Sequence, residues 1–369
     1  MAGGDSSSMA VVAADREADE RLWKNEEPQQ VDQDQEQDKG MNPLDPRFSE
    51  YDPKKREYIY TRYSYRRGRD INLDLDEESP VGPMAYTDKV FPERFFLPNT
   101  MNVVSVKIVS SDYGYPLHVY GTIIVRDSID RKCIYMFRRG KDNCQLISSK
   151  DDSLILTGPK RGLMFCDWIF FEIDLKVKDV HGMKVKDERL SKGLMEVDGV
   201  MRLPYPTERK VQMETLVSMH SILDLSFIFI RKAVEGTVEV RILDGPAGFH
   251  GKIYARTTNV PCDIMLHDSK VNGMLTASDK GVVQMVRSVV GVSVDEMLRL
   301  IVAAAALDGD ELSVCTVEFT PRRNGYNIEE IACGSTLSEP VDLLWCQEMS
   351  ISDYITCLFL VYINVLHSC

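Results

Sequence analysis

The chain has nine cysteines but no C-x-x-C pair, six histidines but no two at metal-ligand spacing, and no apolar run of bilayer length. The first absence removes zinc ribbons and dithiol redox motifs, and the odd cysteine count argues against a disulfide framework. The second disfavours a bound metal. Neither a Walker loop nor a G-x-G-x-x-G fingerprint is present, so no nucleotide cofactor is expected. The first twenty residues carry Asp5, Asp15, Glu17, Asp19 and Glu20 and lack a continuous apolar core, unlike a secretory signal. A reducing compartment, cytoplasm or nucleus, is expected.

Positive charge is also scarce, with 44 Lys and Arg against 57 Asp and Glu, a formal −13. A net acidic body repels nucleic acid unless a local basic patch intervenes. The imbalance is uneven. Residues 1–40 hold eleven acids and four bases, whereas residues 51–70 hold seven bases and three acids. The leader 1–40 is rich in Ser, Gln, Asp and Glu, so burial cannot offset the entropy of ordering it, and disorder is expected. Residues 41–97 are broken by Pro43, Pro46, Pro53, Pro80, Pro83, Pro92 and Pro98 just beyond, and read as an extended linker. Inside it Tyr58, Tyr60, Tyr63 and Tyr65 interleave with Arg62, Arg66, Arg67 and Arg69, which suits one strand or an arm lying on a folded body.

From about residue 98 to 345, short apolar runs alternate with period two and are separated by Gly, Pro, Asp and Asn. This pattern predicts a mainly β chain built as an antiparallel sandwich or as two tandem related β units. The predicted strands are 103–110, 117–126, 133–137, 154–157, 168–178, 211–218, 223–231, 237–243, 251–257, 262–266, 282–289 and 312–319. Met297–Leu307 has capping-box spacing at Ser293 and Glu296 and an alanine run, so helix competes there. A repeat favours strand. Gly121, Ile123, Val125 and Arg126 recur as Gly251, Ile253, Ala255 and Arg256 at an offset of 130. Cys133 and Met136 then answer to Cys262 and Met265 at 129, and Asp167, Ile169 and Leu175 to Asp295, Met297 and Ala303 at 128. Drifting offsets of this kind arise from turn insertions, and they suggest halves at 98–218 and 219–345.

Several motifs carry both a chemical and a structural reading. Gly158-Pro159-Lys160-Arg161-Gly162 could offer N–H groups and two cations, Lys160 and Arg161, to an anion, but an ordinary solvated turn explains it equally well. His267-Asp268-Ser269 lists triad residue types, yet neighbours on a strand face opposite ways and cannot relay a proton. Glu172 and Asp174 share one strand face as glycosidase carboxylates might, although flanking lysines make that face look wet. The Tyr/Arg arm, with Tyr58, Tyr60, Arg62, Arg66 and Arg67 as candidate contacts, suits self-docking, protein binding or single-stranded nucleic acid through residues 51–70. The segment 346–369 is an atypical apolar tail, and its core is shorter than the ~20 residues of a membrane helix. A buried strand is preferred there over a tail anchor, and a membrane partner is disfavoured.

A dispersed series runs Leu117-x-Val119-x-Gly121, Val125-Arg126-Asp127-Ser128, Phe137-Arg138-Arg139, Asp142-Asn143-Cys144-Gln145, Leu154 to Gly162, Phe171 to Leu175, and Leu266 to Ser269. Taken in order, it resembles the cereal-grass domain of unknown function found in large families of uncharacterised plant proteins. The resemblance spans roughly 98–330. It implies that some relatives join this domain to a jasmonate-induced ribosome-inactivating N-glycosidase, whose Glu and Arg helix pair is not visible in this sequence. Relatives tend to close with a strand reaching a Trp near Trp345, so 346–369 looks foreign. The expected function is a non-enzymatic binding or regulatory β module for an unknown protein or small ligand. The alternative is an N-glycosidase-type hydrolase, or an accessory to one, using Glu172 with Arg161 nearby.

Overall fold

Alternating apolar residues form strands because one face can then be buried while every backbone group is paired along a ladder. The computed structural model describes residues 45–64, 74–84, 96–180, 183–184, 188–199, 210–244, 248–260, 262–278, 281–305, 312–334 and 354–365. The acidic leader 1–40 lies outside them. Two short strands, β1 (Ser49–Asp52) and β2 (Glu57–Tyr60), make a hairpin in the arm. The body follows with β3 (Thr100–Ser111), β4 (Leu117–Arg126), β5 (Ile134–Arg139), β6 (Gln145–Ile147), β7 (Leu163–Met164), β8 (Trp168–Val180), β9 (Met183–Lys184), β10 (Arg189–Asp198), β11 (Gln212–Ser218) and β12 (Ser221–Ile230). It continues with β13 (Ala233–Asp244), β14 (Gly248–Thr257), β15 (Ile264–Asp268), β16 (Leu275–Thr276), β17 (Val289–Ser293), β18 (Leu298–Ala305), β19 (Leu312–Phe319), β20 (Tyr326–Gly334) and β21 (Tyr354–Val365).

The chain is mainly β, in antiparallel sheets that form two successive sandwiches. In the first, the order β10-β8-β4-β5 faces the order β11-β12-β3-β7; in the second, β19-β18-β14-β15 faces β20-β21-β13-β17. Each strand of these four-strand orders thus has a counterpart in the other sandwich, in the same place. Two separate apolar cores follow, one around Val119, Ile123, Phe171 and Phe227, the other around Val238, Ile253, Leu300 and Val302.

The correspondence extends to single residues. Gly121 sits opposite Leu175, and Gly251 opposite Ala304. A Cβ on Gly121 would lie 2.1 Å from the Asp174 carbonyl oxygen, and one on Gly251 would lie 2.2 Å from that of Ala303. The ladder to the next strand also shifts register at matching points, between Ile123 and Ile124 and between Ile253 and Tyr254. Asp174 corresponds to Ala303, so the offset in this strand is 129 rather than the 128 read from residue types.

Other expectations are adjusted. Residues 154–157 make no ladder strand. Leu154 N instead donates to Val106 O at 2.8 Å and Thr157 N to Met136 O at 2.8 Å, so this run clips the two sheets together. The expected strand 282–289 is displaced to β17, because Val283 N and Arg287 N are spent on Val240 O and Leu266 O in the equivalent clip. Strands β10 and β20 went unread, the former because Gly193 occupies a buried position and interrupts the apolar alternation. The alanine run resolved as strand β18, since it lies between β14 and β19 with both edges hydrogen-bonded. The segment 354–365 of the apolar tail is β21, paired on one side with β13 and on the other with β20.

The sandwiches meet closely. Asn102 exchanges two hydrogen bonds of 2.8 Å with the backbone of Gly291, and Ala233 N donates to Pro98 O at 2.8 Å. Arg287, 2% exposed, donates Nη1 to Val103 O at 3.0 Å across the same joint, and its burial pulls its pKa down to about 10.

Because neither glycine can accept a Cβ without moving a paired strand, Gly121→Ala and Gly251→Ala should each lose about 2–4 kcal/mol of stability. Urea unfolding of each variant measures this. A loss below ~0.5 kcal/mol at either site would show that the strand spacing there is not a constraint.

Candidate functional site

Arg126 ends β4 and Asp127 follows it directly, and the two side chains enter separate buried networks. Arg126, fully buried, grips Glu172 of β8 at 2.7 Å (Nε to Oε1) and 3.1 Å (Nη2 to Oε2). Its remaining donors reach Leu75 O at 2.6 Å and Arg131 O at 2.9 Å. Burial works against this guanidinium's charge, but the Glu172 hydrogen bonds outweigh it and hold the pKa above the ordinary arginine value. Tyr63 N donates to Glu172 Oε1 at 2.8 Å, and the Tyr63 ring lies 4.6 Å from that of Phe170. Arg62 adds Nε at 3.6 Å from Glu172 and Nη2 at 2.7 Å from Asp76. The arm is therefore fastened over Glu172 by its own backbone.

On the other side Asp127 takes Arg161 in a bidentate pair, 2.6 and 3.0 Å, and also accepts from Met164 N at 2.8 Å. Arg161 further reaches Asp130 at 3.3 Å, Gly162 O at 3.0 Å and Ser79 Oγ at 3.4 Å. Lys160 Nζ bonds Glu78 at 2.9 Å and Ser79 O at 2.5 Å. Both cations of the Gly158–Gly162 turn hold residues 78–79 of the linker, and at 1% exposure Arg161 has no face for an external anion. Ser79 and Glu77 also pair by backbone with Cys133 at the start of β5.

The second sandwich contributes Glu235. Its buried carboxylate accepts from Met84 N (2.6 Å), Gly162 N (2.7 Å) and Thr237 Oγ1 (3.0 Å), tying the linker, the Arg161 turn and β13 together. Burial raises its pKa against these donors.

Of the candidate contact residues, Lys160, Arg161 and Arg62 face inward to such networks, and Arg66 and Arg67 lie outside the described residues. The β1–β2 hairpin keeps its tyrosines outward. Tyr51 and Tyr58 are cross-strand neighbours with ring centroids 5.6 Å apart, edge to face, at 46% and 54% exposure. Tyr60 is half-buried beside them. Lys55 and Arg56 at the hairpin tip are exposed and form no ion pair among the described residues. The hairpin is mounted firmly: buried Asp52 accepts from Lys54 N at 2.8 Å and Met219 N at 3.1 Å, and Glu50 meets Arg189 at 2.9 Å and Lys192 at 2.6 Å.

Arg161, Glu172 and His267 are not brought to one place. The first two belong to separate networks of the first sandwich, whereas His267 lies in β15, with Nε2 3.0 Å from Gly273 O and its pKa lowered by burial. Asp268 caps a single helical turn, Ser269–Asn272, by accepting from Lys270 N. Glu172 and Asp174 do share a strand face, and Asp174 lies 3.8 Å from Lys192. Among the described residues no group of three His, Cys, Asp or Glu is placed to hold a metal ion, and no helix is long and apolar enough to cross a membrane. Sequence reading missed Arg126, Asp127 and Glu235 as anchors. Arg126 stood in the repeat and Arg126-Asp127 in the dispersed series, and Glu235 stands as an acid within the apolar run of β13, but none of these signals pointed to an anchoring role.

The model of the family described as "Domain of unknown function (DUF6598)" matches residues 100–339, and the chain belongs to that family. No curated protein matches it. Among solved structures it aligns with one titled "Extended-Synaptotagmin 2, C2A- and C2B-domains" at 8% identity. That alignment covers 78% of this chain and 99% of that one, with a TM-score of 0.23.

Removing one partner of a buried ion pair strands the other, so Asp127→Asn should cost about 3–5 kcal/mol, and adding Arg161→Met should cost little more. A double-mutant cycle in urea tests this, and additive losses would rule the pair out as one unit. For Glu235 the folded pKa is raised, so its contribution is fully present below the ordinary value of 4.5 and is lost as pH rises through the raised one. The stability difference between the native protein and Glu235→Gln, followed from pH 4.5 upward, should therefore shift in favour of the variant. An unchanged difference would contradict the burial argument.

Proposed function

We propose that this family member is a non-enzymatic binding module, with the arm built into its scaffold and the β1–β2 hairpin as its contact surface. The observation that carries this is the state of Glu172. Both of its oxygens are engaged by Arg126, and Tyr63 N covers it from the arm, so most of its acceptor capacity is taken and its approach from the arm side is covered. Arg161, which an N-glycosidase reading would enlist with Glu172, is held instead by Asp127 in a separate network. Among the described residues, the hairpin exposes Tyr51 and Tyr58 with Lys55 and Arg56, ring faces beside cations that form no ion pair there, a combination that suits an acidic protein segment. A single-stranded nucleic acid meets the same chemistry, but the chain's net charge of −13 weighs against a polyanion of that length.

We further read the chain as tandem units, with the boundary moved from 218 to after Ile230 because β12 belongs to the first sandwich, and with the second unit completed by the strand at 354–365. A reducing compartment, cytoplasm or nucleus, accords with Cys133, Cys144, Cys166, Cys262 and Cys315 remaining free thiols.

The test has two arms. Purified protein incubated with ribosomes should release no adenine above a buffer blank; release that Glu172→Gln abolishes would establish the hydrolase instead. In fluorescence anisotropy a labelled acidic peptide should bind and weaken about tenfold when Lys55 and Arg56 are both changed to Glu, each lost contact contributing on the order of 0.5–1 kcal/mol. Binding of an oligothymidylate but not the peptide would move the module to the nucleic-acid class.

A further inference from the structure

Among the described residues four arginines are buried, Arg126, Arg139, Arg161 and Arg287. Three of them are served by side-chain oxygens. Arg126 has Glu172 and Arg161 has Asp127. Arg139 has the amide oxygens of Asn143 at 3.5 Å and, with that amide turned to suit, Asn272 at 3.2 Å, which leaves its Nε without an acceptor. Arg287 has one main-chain carbonyl, Val103 O, 3.0 Å from Nη1.

The deficit at Arg287 lies on one edge. Nε and Nη2 are both enclosed and meet no acceptor among the described residues. Nε carries one N–H and Nη2 two, so most of this guanidinium's donors go unmatched. The same two nitrogens form the fork with which Arg126 grips both oxygens of Glu172, so the edge is shaped for an anion. No acid offsets the charge of Arg287: burial is the sole influence on its pKa, which falls to about 10 and leaves it a cation at neutral pH.

The side chain sits where the two sandwiches close on one another. Arg287 N donates to Leu266 O of β15 at 3.2 Å, Nη1 reaches β3 of the first sandwich, and Asn102 exchanges its two bonds with Gly291 along the same joint. A water there would take up hydrogen bonds but not charge, and a buried cation without a counter-charge is far costlier than a paired one. A phosphate ester or a peptide carboxylate would need an opening for the rest of its molecule, which a residue 2% exposed does not provide. The fork, the unmatched charge and the enclosure together select a small ion.

We infer that the Nε and Nη2 edge of Arg287 holds one small monovalent anion, of the size and charge of chloride, inside the joint between the sandwiches. The ion enters as the joint closes and completes Arg287 as Glu172 completes Arg126. Because it binds the folded chain and not the unfolded one, it ties the stability of the joint to the anion in solution. This inference is independent of the hairpin and of the binding-module reading.

The experiment is urea unfolding of the full chain at constant ionic strength, with chloride raised as gluconate, an anion too large to be enclosed, is lowered. The native unfolding equilibrium constant should fall about tenfold for each tenfold rise in chloride above its dissociation constant. Arg287→Met, which removes the charge and the fork but keeps a long side chain, should show no such dependence. Crystals of the native protein grown in sodium bromide give a readout that needs no variant to fold: an anomalous-scattering peak within hydrogen-bond reach of Nε and Nη2. Three results would overturn the inference: a native protein indifferent to chloride, an Arg287→Met variant as chloride-dependent as the native chain, or a water where bromide is expected. A bromide peak without chloride-dependent stability would mean an adventitious ion only, and overturns it as well.

Discussion

A guanidinium taken out of water needs its lost hydrogen bonds returned, and Arg126 and Arg161 satisfy that need with groups drawn from three parts of the chain. Arg126 uses a carboxylate of the first sandwich and carbonyls of the linker and the β4–β5 turn; Arg161 uses Asp127, Asp130 and the Ser79 hydroxyl. Part of each guanidinium's hydrogen bonding comes from the linker, Leu75 O for Arg126 and Ser79 Oγ for Arg161. Arm and first sandwich therefore hold together as one cooperative unit, whatever the weak intrinsic structure of a proline-rich segment. Glu235 extends the same logic to the second sandwich, since its acceptors are filled by backbone N–H groups of the linker and of the Arg161 turn.

This arrangement decides which readings of the site survive. The residues that invite a chemical interpretation, the Glu172 carboxylate and the Lys160–Arg161 turn, are the ones most fully consumed by structure. Catalysis requires a group whose hydrogen-bonding capacity is left for substrate, and here that capacity is used up by neighbours with short, well-directed bonds. Among the described residues, aromatic and cationic surface stays exposed at the hairpin, at Tyr51, Tyr58, Lys55 and Arg56.

The β character, most strand positions and the repeat were legible because alternation and glycine placement are local signals. Gly121 and Gly251 stood out for a physical reason visible only in three dimensions: each lets a neighbouring carbonyl approach to about 2 Å from where a Cβ would sit. The fate of Arg161 was not legible. Its partners are 31, 34 and 82 residues away in sequence, and a cation in a Gly-Pro turn ordinarily points to water. The same holds for Arg62, which looked like one cation among several in a basic arm but turns inward to Asp76 and Glu172. Strand β10 escaped because Gly193 stands in an inward row, where its missing side chain leaves room for Leu216.

The divergence between the sandwiches runs along one surface. Cores and turning points correspond closely, down to the register shifts at Ile123 and Ile253, yet outward residues differ in both directions: Glu172, Asp174 and Lys192 stand where Ile301, Ala303 and Val314 do, and Leu194 and Thr122 where Thr316 and Lys252 do. Inward residues are constrained by packing against the opposite sheet, so a shared fold preserves them. Outward residues are constrained only by what lies on them. Charged receptors suit an arm that brings its own carbonyls and amides, because each buried charge then finds a fixed dipole. On the first sandwich those receptors are already occupied by the chain's own arm.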